Sequence, residues 1–196
     1  MLLHSALCAL LLVLEGRPEG AAAQLSQVRG VVRITGAKAG AGAVVSLQAE
    51  HLKLVPPDAP VKVEQKGFRF VPRVVAVPAG TTIRFVNDDP EPQNVYSPEG
   101  HYNLGVWQTG GSKDFVFRKP GVYGQLSNLH PDMRGFVVVL DTPYFAVSDD
   151  TGHFEIRDVP AGKYRLEVWR ETKTGLAREV TVESGEPVKL ELIVEK

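Results

Sequence analysis

Thiol chemistry is almost absent from this 196-residue chain, whose one cysteine is Cys8. Cys8 sits inside Leu2 to Leu14, a nearly all-apolar stretch too short to span a bilayer, and Ala21-Ala22-Ala23 precede Gln24 as a small-residue cleavage pattern. A secretory leader over residues 1–23 is the expectation, with a buried N-terminal helix as the alternative, because the leader opens without Lys or Arg and Glu15, Arg17 and Glu19 are polar. Cleavage after Ala23 leaves no thiol, no disulfide and no thiolate metal ligand, in a protein that is periplasmic or secreted. A second long apolar run is also missing, so no transmembrane span is expected after cleavage. Nor does one sign of charge dominate. The formal charge is −1, and losing Glu15, Arg17 and Glu19 with the leader brings it to neutrality with the charges interspersed. That balance gives no basic field for nucleic acid. The glycines are scattered at turns and form no phosphate-binding loop.

Helical periodicity is lacking too: no stretch of a dozen residues repeats at 3.6. Strand signals fill the space. Val28 to Ile34 and Ala43 to Leu47 flank the Gly/Ala segment Gly36 to Gly42, and apolar runs around Phe68, Phe70, Val77, Ile83 and Phe85 are broken by Pro72, Pro78-Ala79-Gly80 and Asn87-Asp88-Asp89-Pro90. Phe115 to Phe117, Val122 to Leu126 and Phe136 to Leu140 continue the pattern. Further on, Asp149-Asp150-Thr151-Gly152 and Val159-Pro160-Ala161-Gly162 are turns. Tyr164, Leu166 and Val168 alternate with Arg165 and Glu167, and Arg178 to Val182 and Val188 to Val194 are two more strands. The fold class expected is all-β, built as sandwiches so that each sheet buries its apolar face.

Two family resemblances follow from particular residues. Gly67-Phe68-Arg69-Phe70-Val71-Pro72, the run from Pro78-Ala79-Gly80-Thr81 to Phe85-Val86-Asn87-Asp88, Asn94-Val95-Tyr96-Ser97, and Pro120-Gly121-Val122 through His130-Pro131-Asp132-Met133 make residues 61–140 resemble a cupredoxin of the plastocyanin type, close to variants associated with methylamine utilisation. Asp149 to Phe154 and Val159 to Tyr164 resemble a carboxypeptidase regulatory-like, or transthyretin-like, domain, and Gly30 to Val32 with Gly42 to Leu47 look like that family's opening strands. The resemblances imply two Greek-key-type β-sandwiches, with the cupredoxin-like one (61–140) inserted into a discontinuous outer one (24–50 plus 141–196). The simpler alternative is a cupredoxin with an N-terminal extension and a C-terminal sandwich.

A blue-copper centre needs two imidazoles, a thiolate and a weak axial thioether. Carried across by resemblance, those positions are Gln93, Ser127, His130 and Met133. A neutral amide and an alcohol stand where an imidazole and a thiolate belong, so no cofactor is expected. The alternative is weakly bound copper on His130 and Met133, with His101 as a candidate third ligand; structural roles for His130 and Met133 are the competing reading. No enzyme site emerges: Ser127 lacks a Gly-x-Ser-x-Gly elbow, and Asp132 beside His130 in one loop does not make a triad. Asp88 to Glu91 reads as a solvated turn in preference to a calcium loop. The function expected is an extracytoplasmic binding or assembly module with a copper-free, degenerate cupredoxin-like site, its partner another periplasmic or secreted protein and carbohydrate a second possibility. Tyr96, Tyr102 and Trp107 are the candidate interaction residues, with core packing as their other reading. An atypical His/Met copper or electron-transfer protein is the rival function.

Overall fold

The computed structural model describes residues 24–36, 40–50, 52–171 and 173–195. The expected leader, with Cys8, lies outside them. Sixteen strands and no helix make up the described residues, so the all-β expectation holds. In chain order they are β1 (Ser26–Ile34), β2 (Val44–Gln48), β3 (Val61–Gln65), β4 (Phe70–Val71), β5 (Val74–Pro78), β6 (Thr81–Asn87), β7 (Gln93–Ser97), β8 (Tyr102–Trp107), β9 (Ser112–Phe117), β10 (Gly121–Leu126), β11 (Arg134–Leu140), β12 (Phe145–Val147), β13 (His153–Val159), β14 (Gly162–Arg170), β15 (Lys173–Val182) and β16 (Val188–Val194).

The strands form four sheets, ordered β13-β1-β16, β12-β2-β14-β15, β4-β3-β6-β9 and β5-β11-β10-β7-β8. The first two enclose one core, in which Val28, Val32, Leu47, Leu166 and Leu192 are fully covered. The alternation of β14 produces this directly, since Tyr164, Leu166 and Val168 are buried while Arg165 is exposed. β1 runs parallel to β16 and antiparallel to β13, and β2 lies between β12 and β14. The other two sheets enclose a second core around Val63, Ile83, Phe85, Val95, Phe117 and Val137.

Turn chemistry joins these elements. Asp149 Oδ1 accepts hydrogen bonds from the Thr151 hydroxyl (2.6 Å), Thr151 N (2.9 Å) and His153 N (2.9 Å), and Gly152 N donates to Asp149 O at 2.9 Å. Gly152 has φ +88°, and a Cβ there would stand 2.4 Å from Val32 O, so only glycine fits.

The cores meet at a seam where Val44, Phe136 and Val138 are buried although they belong to neither core. Phe136 of β11 stacks at 5.4 Å on Trp169 of β14, and Glu171 pairs with Arg73 at 2.6 Å and Arg134 at 3.7 Å.

Candidate functional site

The four ligand-equivalent positions gather at one end of the second core, where β7 begins and where the 127–133 loop joins β10 to β11. Contacts between the two stretches fix their proximity: Asn94 Oδ1 accepts from Ser127 Oγ at 3.0 Å and from Asn128 N at 2.9 Å, and the His130 ring nitrogen Nε2 lies 3.2 Å from Pro92 O. Met133 N closes the loop by donating to His130 O at 2.9 Å.

Gln93 is fully buried. Its Nε2 donates to Asp89 Oδ2 at 2.8 Å, and its Oε1 accepts from Gln65 Nε2 at 3.3 Å. Asp89, 3% exposed, is the hub of the arrangement. Besides Gln93, its carboxylate accepts from Gly67 N at 2.5 Å and Phe68 N at 3.1 Å, while its backbone carbonyl accepts from Thr109 Oγ1 at 2.8 Å and its N–H donates to Asn87 Oδ1 at 2.8 Å. A buried carboxylate is tolerated when several donors face it, and Gln93, Gly67 and Phe68 supply them here.

Ser127 is equally committed. Its hydroxyl donates to Asn94 Oδ1 and accepts from His130 N at 3.1 Å. The serine proton therefore points at an amide oxygen, which leaves no path for the imidazole to act as its base. The His130 ring packs edge-on against Phe68, centroids 4.8 Å apart. Because Pro92 O can only accept, Nε2 carries the hydrogen of this bond. Met133 is 1% exposed and belongs to the second core. Among the described residues no three His, Cys, Asp or Glu side chains come together as a metal-holding group.

His101 does not join this group. It follows Ser97 at the far end of β7, roughly 13 Å of strand from Gln93, and lines a different groove with Glu99, Asp114 and Lys119. The structure also corrects two of the three aromatic interaction candidates. Trp107 is 6% exposed and lies in the second core. Tyr102 packs against that core, stacks on Phe115 at 4.0 Å and gives its hydroxyl to Gln125 Oε1; burial pushes its pKa well up. Strict alternation would put positions five apart on opposite faces; an extra residue in β8 between Asn103 and Val106, where Gly105 has φ +75°, resets the phase so that both rings turn inward. Tyr96 is half-buried.

The exposed apolar residues near His130 are instead Phe68 (46%), Val71 (43%) and Leu129 (43%). Sequence reasoning treated Phe68 as an ordinary strand residue; Gly67 beside it was the available signal, since both take positive φ in a turn that turns the Phe68 ring outward.

A family model described as "Cupredoxin-like domain" matches residues 39–139, just over half of the chain, and one described as "Polysaccharide lyase family 4, domain II" matches residues 139–190. Similar solved structures include a purple cupredoxin from Nitrosopumilus maritimus, 26% identical, covering 41% of this chain and 99% of that one with TM-score 0.38. A copper-containing nitrite reductase from Thermus scotoductus is 27% identical, with 48% of this chain and 25% of that one covered and TM-score 0.40. A reduced amicyanin variant is 21% identical, with 49% and 98% covered and TM-score 0.41. No curated protein matches.

Proposed function

The chain belongs to the cupredoxin-like family, and on that premise we propose that it is an extracytoplasmic binding or assembly module whose inherited copper site has become a hydrogen-bonded structural end of the sandwich. The observation that carries this reading is the commitment of Gln93 and Ser127. Both are buried, and each spends its polar atoms on protein partners. A blue centre depends on a covalent copper–thiolate bond, and an alcohol is not deprotonated at ordinary pH to replace it. The direct test is Cu(II) titration read by visible absorption and electron paramagnetic resonance. No intense thiolate-to-copper band is expected, and such a band would overturn the reading.

The architecture proposed with it is insertion of the cupredoxin-like sandwich into a discontinuous, carboxypeptidase regulatory-like one. Support comes from β1 and β2 pairing with strands beyond residue 144. The cupredoxin-like match begins at residue 39 and so takes in β2, whose hydrogen bonds belong to the outer sheet; packing is the better guide to that boundary.

One observation favours the rival of weak copper binding. His130 donates from Nε2 to a backbone carbonyl, the arrangement that commonly orients a ligating imidazole. Only Met133 accompanies it, and two donors do not close a site. Equal Cu(I) affinity in wild type and in the His130→Ala, Met133→Leu double variant removes this alternative.

The partner in this reading is another extracytoplasmic protein, met on the apolar surface of Phe68, Val71 and Leu129. Affinity capture should enrich one protein specifically, and Phe68→Ser with Leu129→Ser should abolish the enrichment without unfolding the chain. Enrichment that survives both substitutions would remove this surface from the proposal.

A further inference from the structure

A concentration of positive charge beside the His130 loop has no part in the site described above. A cavity of about 480 Å³ is lined there by Phe68, Arg69, Arg73, Asp132 and Arg134. Arg69 and Arg73 flank the short strand β4, Arg134 opens β11, and Asp132 belongs to the loop that carries His130. Three guanidiniums from neighbouring strands thus border one opening, with one carboxylate among them.

Two of the arginines are positioned in advance. Arg73 and Arg134 stand over the Phe136 ring at 5.6 and 5.4 Å. Glu171 reaches both from β14's far end, 2.6 Å from Arg73 Nη2 and 3.7 Å from Arg134 Nε. That contact demonstrates the chemistry of the pair: their forks accept a carboxylate. One glutamate against two guanidiniums leaves an excess of positive charge. Arg69 increases it, since it is exposed and takes no part in an ion pair among the described residues. Asp132 opposes a bare anion but accepts hydrogen bonds from hydroxyls. Phe68, 46% exposed, supplies an apolar surface on the same rim. A ligand matching all of these carries a carboxylate, hydroxyls and an apolar ring face together.

We propose that this cavity binds an acidic saccharide, a uronate unit whose carboxylate lies between Arg69 and Arg134, whose hydroxyls donate to Asp132 and whose ring rests on Phe68. The site shares Phe68 with the surface proposed for a protein partner, so the two ligands compete for that ring, but the saccharide contacts do not rest on the protein-recognition reading. An acidic peptide would satisfy the arginines, yet it lacks the row of hydroxyls for Asp132 and adds like charge beside it, and it serves as the discriminating probe.

The test is calorimetric titration of the whole protein with a galacturonate trimer, a galactose trimer as the uncharged counterpart, and a glutamate-rich hexapeptide. Saturable binding is expected for the galacturonate trimer alone, weakened by salt and roughly tenfold or more weaker in Arg69→Ala. Arg69 is exposed, so this variant keeps the fold, and an unchanged unfolding midpoint verifies that. Asp132→Ala separates sugar recognition from mere charge: uronate affinity falls if Asp132 holds hydroxyls and rises if the cavity senses charge only. A rise overturns the proposal. So do absence of trimer binding, equal or tighter binding of the peptide, and trimer binding that survives Arg69→Ala.

Discussion

Asp89 is the residue on which the His130 end of the sandwich depends. Replacing it with alanine strands the fully buried Gln93 Nε2 and frees Gly67 N and Phe68 N, which sit on exposed residues within reach of water. A buried unpartnered donor costs about 1–3 kcal/mol, so Asp89→Ala should lower unfolding stability by about 2 kcal/mol in urea titration, whereas a loss under about 0.5 kcal/mol would mean water replaces the network at no cost. The same carboxylate prepares a second prediction. Histidine at position 93 can bind metal through one ring nitrogen and give its other N–H to Asp89, the outer partner that a ligating imidazole requires. Gln93→His combined with Ser127→Cys should therefore produce an intense visible Cu(II) band that neither wild type nor Gln93→His alone shows; a colourless double variant would show that the loop no longer holds copper geometry. Only part of this was legible beforehand. The missing imidazole and thiolate can be read at Gln93 and Ser127, but the burial of Gln65, Asn87, Asp89 and Asn94 cannot, because polar residues in an Asn-Asp-Asp-Pro run look like any solvated turn until the fold closes over them. Trp107 and Tyr102 misled in the opposite sense, since an aromatic flanking a site reads alike whether it points in or out.

Elements were the most legible scale where alternation and turn residues agree. β14 is the clear case, with its inward Tyr164, Leu166 and Val168, and the Asp149 turn is another. Gly152 tests how tightly that turn is specified. Alanine there must hold φ near +88° while its Cβ meets Val32 O, so Gly152→Ala should destabilise by more than about 2 kcal/mol, measured as a drop in the urea midpoint at unchanged slope. Asp149 itself titrates below its ordinary 3.8, chiefly because the Thr151 hydroxyl donates to it, with further help from the His153 and Thr151 backbone N–H groups against a desolvation penalty. A depressed folded-state pKa means the turn's contribution is present above the unfolded value and disappears as pH falls through the folded one. Thr151→Ala should move the Asp149 carboxyl back up toward 3.8 in an NMR titration, and the acid loss of turn stability should begin at higher pH. An unmoved titration would assign the shift to the backbone donors alone.

At the scale of the molecule, the seam between the cores buries Val44, Phe136 and Val138, which belong to neither core. Its Glu171 ion pairs are half-exposed and contribute on the order of 0–1 kcal/mol, and the Phe136–Trp169 stack adds about 0.5–1.5 kcal/mol. The chain path nevertheless favours separability. Leu47 and Tyr144 are hydrogen-bonded, N to O at 2.9 Å, Thr142 Oγ1 donates to Leu47 O at 2.6 Å, and Ser46 sits opposite Phe145, so the chain leaves the outer sheet and returns to it at almost the same point. Cutting out everything between costs little geometry, because a linker of a few flexible residues spans such a gap. A chain joining Gln48 to Asp141 through four Gly/Ser residues keeps Thr142 and all of the first core's strands, β1, β2 and β12 to β16. It should unfold in one cooperative urea transition with a smaller slope than the intact protein, as expected for less buried surface. A non-cooperative, sloping transition would mean that the outer sandwich needs the cupredoxin-like one to fold, and the insertion would then be an integral part of a single folding unit.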